Sequence, residues 1–191
     1  MAWAPDYVTA PELKDYLRIT DAADDAFVAL WVATVSRNVD DECGRQFGQV
    51  ETAEARVYSG VWDRHQGGYL YEIDDLPDVD DLLVIGADAT EVTDYTLQPE
   101  NALQRGKPYE RLLSSASGPL TITSPSWGWP AVPAAVKIGI FLQAARLAAR
   151  RDSPFGVAGS PQQGSELRLL AQLDPDFRTS LKPLRRSWWA Q

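Results

Sequence analysis

The sequence predicts an α+β chain: a small helical bundle with long central helices and an inserted antiparallel β subdomain. Three observations carry this. The stretch Val132 to Arg151 is built almost entirely of good helix formers. A capping-box pattern, Thr9-Ala-Pro-Glu12, opens a helical N-terminal part. Between them, from about residue 50 to residue 130, short apolar or alternating runs are separated by Gly and Pro.

The bulk numbers narrow the function. A chain of 191 residues allows one domain, or one with a large insertion. A net charge of -9 makes it a poor general binder of nucleic acid or of an anionic membrane, because both are gripped chiefly by Lys and Arg. The single cysteine, Cys43, rules out an intrachain disulfide and fits a reducing compartment. Met1 to Tyr7 shows no basic and then apolar leader pattern.

Taken in order, a helix is expected over Ala10–Leu17, with Leu13, Tyr16 and Leu17 inward. Thr20 or Asp21 should cap a second, longer helix, in which Phe27, Leu30, Trp31, Thr34, Val35, Asn38, Val39, Glu42 and Cys43 recur at helical spacing. Gly44 suits its C-terminal cap, and Phe47 should follow as an anchor. Strands are expected at Ala55–Tyr58, Tyr69–Ile73, Leu82–Ile85, Tyr95–Leu97, Arg111–Leu113 and Leu120–Thr123.

In the central helix, Pro133 suits the first turn and Gly139 is the one weak helix former. Gln143, Arg146 and Arg150 fall on one narrow stripe, and nearly everything else is apolar. A helix apolar over most of its surface is buried on several sides, either within its own domain or partly by neighbouring copies. Lys137, Arg146 and Arg150 interrupt it, so it is no membrane span. Residues 152 to 164 read as a mobile arm rich in Gly, Pro, Ser and Gln, and Leu167 to Leu173 as a strand or docking segment. Asp174-Pro175 opens a last short helix with Phe177, Leu181 and Leu184 on one face. Arg185, Arg186, Trp188 and Trp189 end the chain as a cationic, aromatic tail.

No catalytic constellation is visible. His65, the only histidine, lies in a turn-like stretch without triad or zinc partners. Cys43 reads as a small buried hydrophobe with no base beside it. The acidic run Asp74, Asp75, Asp78, Asp80, Asp81 is the best metal candidate, but it lacks the Gly and Glu spacing of a calcium loop. A solvated acidic turn is the simpler reading. No cofactor and no metal ligand set is therefore assigned.

Three segments resemble a known family. They are Thr9-Ala-Pro-Glu-Leu-Lys-Asp-Tyr-Leu-Arg-Ile-Thr20 with the helix running to Gly44-Arg-Gln-Phe47; Trp129-Pro-Ala-Val-Pro-Ala-Ala-Val-Lys137 with its helix and Gly156-Val-Ala-Gly159; and Leu173-Asp-Pro-Asp-Phe177 running to Leu184-Arg-Arg186. Together they look like the head–tail connector (adaptor) proteins of tailed bacteriophages, the group similar to the connector of the lambdoid phage HK97, in the form common in phages of actinobacteria. In this chain Ser160-Pro-Gln-Gln-Gly-Ser165 stands where the family often carries a longer apolar strand.

The resemblance implies a non-enzymatic structural virion protein of the neck, between capsid and tail, made in the host cytoplasm. Copies would form a dodecameric ring under the portal protein and extend the DNA channel towards the next neck protein, a stopper. DNA would pass without sequence-specific binding, and no membrane is involved. A carboxylate-rich lumen would not grip it. On this reading the chain divides into residues 1–49 and 131–159 as the connector domain, 50–130 as the β insertion, and 160–191 as a C-terminal arm. The oligomer interface falls on Val136, Ile140, Phe141 and Leu147. Portal binding falls on Phe177, Leu181, Leu184, Arg185, Arg186, Trp188 and Trp189, with docking of that helix on its own domain as the alternative. Other readings are a stopper or tail-completion protein, or a metal-dependent enzyme using the Asp74–Asp81 turn.

Overall fold

The computed structural model describes residues 3–152, 157–158, 167–168 and 173–186. The chain forms two units, one helical (residues 1–46 and 132–191) and one built on a sheet (residues 47–131).

In the helical unit, α1 (Ala10–Leu17) starts at the expected capping box. The Glu12 N–H donates to Thr9 Oγ1 (3.3 Å), and the Thr9 N–H donates to the Glu12 carboxylate (2.6 Å). The second helix, α2 (Asp25–Cys43), begins later than the sequence suggests. Asp21 accepts instead from the Ala23 N–H (3.0 Å), which keeps the backbone in a turn until Asp24. Gly44 ends α2 in the left-handed region (φ 63°) that glycine adopts without strain. The long α3 (Ala134–Asp152) follows Pro133, and the short α4 (Pro175–Leu181) is followed by a 3-10 turn, Lys182–Leu184.

The packing of these helices departs from the sequence reading in two places. On α2 the buried face is Val28, Val32, Val35, Ser36, Val39 and Cys43, so Phe27 and Leu30 point out, 49% and 59% exposed. On α1, Leu13 is buried but Tyr16 is 47% exposed. In both helices the smaller or better-placed apolar side chain fills the interior, and the bulky aromatic lies on the rim.

The sheet unit contains β1 (Glu54–Asp63), β2 (Gly68–Leu76), β3 (Leu83–Ile85), β4 (Tyr95–Gln98), β5 (Tyr109–Ser114) and β6 (Pro119–Ser124). Their order is β3-β6-β1-β2-β5-β4, with every neighbouring pair antiparallel. The sheet curls into a half-barrel. Period-2 alternation sends Tyr71, Ile73, Val84, Leu112, Leu120 and Ile122 to one face, all buried. Phe47, Trp127 and Trp129 cover that face; the Trp127 indole N–H donates to the Glu54 carbonyl (2.9 Å) and that of Trp129 to Asp75 Oδ2 (3.0 Å). Two further strands, β7 (Val157–Ala158) and β8 (Leu167–Arg168), pair in the helical unit.

The expected small helical bundle with long central helices is therefore corrected. The chain is α+β, but its dominant element is the six-stranded sheet. Most of the largest fully buried side chains, Trp127, Tyr71, Phe47, Ile73, Leu76, Leu112, Leu120 and Ile122, belong to the sheet unit. The strands form one sheet with its own core, not a decoration on a bundle.

Candidate functional site

All but two of the residues expected to act lie among the described residues. Val136 and Ile140 are fully buried within the helical unit, so neither lies on a surface that another copy could touch. Phe141 is half-buried, with its ring stacked on Tyr16 at 5.1 Å between centroids, and Leu147 is half-buried.

The polar stripe of α3 turns out to hold the last helix. Gln143 accepts from the Asp174 backbone N–H (3.1 Å), and Arg146 donates to the Asp174 carboxylate (2.5 Å). Asp174 in turn accepts from the Asp176 and Phe177 N–H groups (2.9 and 3.2 Å), the donors left over at a helix start. Phe177 lies directly over Gly139, where a Cβ would meet its ring at 1.8 Å. The weak helix former thus has a packing reason: only a bare Cα lets the ring seat. Phe177 and Leu181 are 1% and 0% exposed. In this structure they are docked on the chain's own helices, the alternative the sequence left open, and are not presented to a partner.

The tail arginines are also engaged internally. Glu42, on α2, accepts from Arg178 Nε (3.0 Å) and pairs with Arg185. The Arg186 N–H donates to the Cys43 carbonyl (3.0 Å), and its side chain is 5% exposed. These cations sit at the C-terminal end of α2, where the helix dipole favours positive charge. Leu184 is half-buried. Trp188, Trp189 and most of the expected arm lie outside the described residues.

The chemistry-bearing residues do not converge. His65 is exposed in the β1–β2 turn, its N–H donating to Asp63 (2.8 Å). Cys43 is buried, and desolvation pushes its thiol up to about 12, far from a reactive thiolate. The acidic run is dispersed. Asp74 accepts from Arg56 and Tyr58 (both 2.9 Å), Asp75 faces Trp129, and Asp78 accepts from the N–H groups of Val79 and Asp80 (2.6 and 3.1 Å). Among the described residues no group of three or more His, Cys, Asp or Glu is placed to hold a metal ion. No described helix is long and apolar enough to cross a membrane.

What the structure offers instead is surface. On α3 the exposed side is Ala135, Ile138, Leu142 and Ala149, with half-buried Ala145 between them. Ile138 and Leu142 are 59% and 40% exposed. The spacing alternates three and four, the pattern of a helix seam awaiting another helix. A second patch is Phe27, Leu30 and Trp31 on α2, with the Arg151 guanidinium over Phe27 and Trp31 (5.6 and 5.8 Å) and bidentate to Asp24 (2.6 and 3.1 Å). The sequence pointed to α3 but not to these residues, because a helix apolar nearly all round does not say which side its own chain takes. The alternating spacing of Ile138 and Leu142 was the available signal.

Compared with known proteins, the chain matches no family model and no curated protein.

Proposed function

We propose that the chain is a structural virion protein of a tailed phage, a head–tail connector that assembles with its own copies and binds the portal. Its role is mechanical, and the helical unit is the assembling part. The observation that carries this is the exposed seam Ala135, Ile138, Leu142, Ala149 on a helix whose other side is already buried. A second, different apolar patch at Phe27 and Leu30 supports it. Two unlike patches on one protomer are what a head-to-tail interface needs, and such an interface makes a ring when its rotation closes. The three segments that carry the family resemblance fall almost wholly in the helical unit, although nearly the whole sheet unit separates the first from the other two in sequence. In this reading the neighbour contacts are Ile138, Leu142, Phe27 and Leu30 rather than Val136 and Ile140.

The test is co-sedimentation with portal rings, followed by negative-stain microscopy. Ring-shaped particles capping the portal are expected. Ile138→Asp with Leu142→Asp should remain folded and fail to form them. A wild-type protein that stays monomeric at all concentrations and ignores portal would overturn the reading. One that binds only a preformed adaptor–portal complex would reassign it as a stopper.

A further inference from the structure

We propose that the open face of the six-stranded sheet is a docking surface for a cationic protein segment, one whose apolar side chains are flanked by Lys or Arg. This stands apart from assembly by the helical unit.

The register builds the face. Ile85 lies opposite Thr121, and Thr121 opposite Val57; Val61 lies opposite Leu70, and Leu70 opposite Leu113. Residues directly opposite share a face. These are the alternate positions to the buried Val84, Ile122, Tyr71 and Leu112, so they form the sheet's other side. An antiparallel sheet with one solvated face normally turns polar residues outward. Here Val57, Val61 and Leu83 are 68%, 74% and 41% exposed. At the β1–β2 end the face deepens into a groove of about 430 Å³ lined by Val61, Trp62, Asp63, Arg64, Leu70 and Glu72, among others. That is room for an anchoring side chain beside an indole, with the Asp63 carboxylate and the Arg64 guanidinium in its lining and Glu72 paired with Arg111 (2.8 Å).

Charge selects the occupant. Residues 47–131 carry 14 acidic and 5 basic side chains, which is the whole net charge of -9. Around the exposed Leu83 the chain places exposed Asp80 and Asp81 before the strand, and Asp88 and Glu91 after it. In the groove, hydrogen bonds from the Gln66 side chain and from the His65 and Gln66 N–H groups hold the Asp63 carboxyl below its usual range. A second copy laid face to face would bring two such units together against mutual repulsion. Nucleic acid and anionic lipid carry the same sign. A polypeptide with apolar residues between cations meets both the stripe and the field, and the field also speeds its encounter.

The probe is a ten-residue peptide alternating Lys and Val, titrated calorimetrically into the full chain at low and high salt. Controls replace Lys by Glu, or Val by Ser. Binding of the Lys/Val peptide alone is expected, weakened by salt and by about tenfold in Val57→Asn with Val61→Asn. Both sites are exposed, and circular dichroism confirms the fold. Equal binding of the Lys/Ser peptide, or an unaffected double variant, would reduce the effect to diffuse attraction and overturn the proposal. So would self-association abolished by the double variant, which makes a second copy the occupant. Loss of ring assembly leaves these outcomes unchanged, so the two readings fail separately.

Discussion

The helical unit and the sheet unit use charge in opposite ways. Residues 1–46 and 132–191 carry 13 acidic and 13 basic side chains, against 14 and 5 in the sheet unit. In the helical unit the charges hold the fold together: Asp174 is held by Arg146, Asp24 by Arg151, Asp40 by Arg37, and Glu42 by Arg178 and Arg185. The sheet unit also pairs Arg56 with Glu54 and Asp74, and Arg111 with Glu72, but its 5 cations cannot balance its 14 carboxylates. A neutral, internally paired surface can approach copies of itself without long-range repulsion. An acidic one keeps like surfaces apart and draws cations. The same comparison applies to apolar faces, since both units bury one side of their main element and expose the other.

That symmetry gives the largest expected effects. Ile140→Asp places an uncompensated charge at a fully buried position and should cost about 3–5 kcal/mol, unfolding the helical unit in a urea titration. Ile138→Asp, two residues away on the exposed side, should change stability by no more than about 0.5 kcal/mol and act on assembly alone. In the sheet unit, Ile122→Ala should cost about 2–5 kcal/mol, while Val57→Asn should again stay within about 0.5 kcal/mol. If Ile138→Asp unfolds the chain as Ile140→Asp does, α3 is covered on both sides and the seam is not a free surface.

A sharper test sits at Gly139. By propensity alone Gly139→Ala should stabilise α3 by about 1 kcal/mol. The added methyl would meet the Phe177 ring, so a net loss of about 1–3 kcal/mol and release of α4 are expected instead. A stabilised variant would mean that Phe177 does not sit where it is placed. Glu42→Gln should cost a similar 1–3 kcal/mol or so, because it removes the charge that two arginines share. A charge-neutralising change at the exposed Asp80 removes no such pairing and should leave the melting temperature unmoved.

Much of the local structure was legible. The Thr9–Glu12 capping box, the Gly44 cap, the Asp174-Pro175 start and all six strand positions follow from turn chemistry and alternation. The weight of the sheet was not, because alternation locates strands without saying that they share one core. Nor was the buried side of α3. A helix with Val136, Ile138, Ile140 and Leu142 in succession offers apolar residues to every direction, and the packing of α1, α2 and α4 against it, with Phe177 on Gly139, chooses between them. The tail arginines misled for a related reason. Arg185 and Arg186 read as surface charge in sequence, yet Glu42 and the Cys43 carbonyl await them at the end of α2.

The smallest expected effect is a pH dependence of α4. Asp174 feels desolvation, which raises its pKa, but the Phe177 and Asp176 N–H groups and the Arg146 guanidinium lower it further, so the net shift is downward from 3.8. A carboxyl depressed in the folded state contributes stability that is fully present above its ordinary value and is lost as pH falls through the folded value. The docked α4 should therefore be indifferent to pH from neutrality down to about pH 4, and loosen only below that. Amide exchange of Phe177 to Leu181 reads the release directly. Asp174→Asn keeps a capping side chain but removes the titrating group, and should flatten the acid response at a cost of a few tenths of a kcal/mol or so. Asp174→Ala removes both, and should cost about 0.5–2 kcal/mol at neutral pH. Acid loosening that persists in Asp174→Asn would overturn this assignment, and Asp40 could not supply it, because its contribution has the opposite sign. The pKa of that carboxyl is raised, chiefly by burial, so its protonation strengthens the fold on acidification. The two carboxylates therefore make distinguishable predictions, and a release that begins well above pH 4 fits neither.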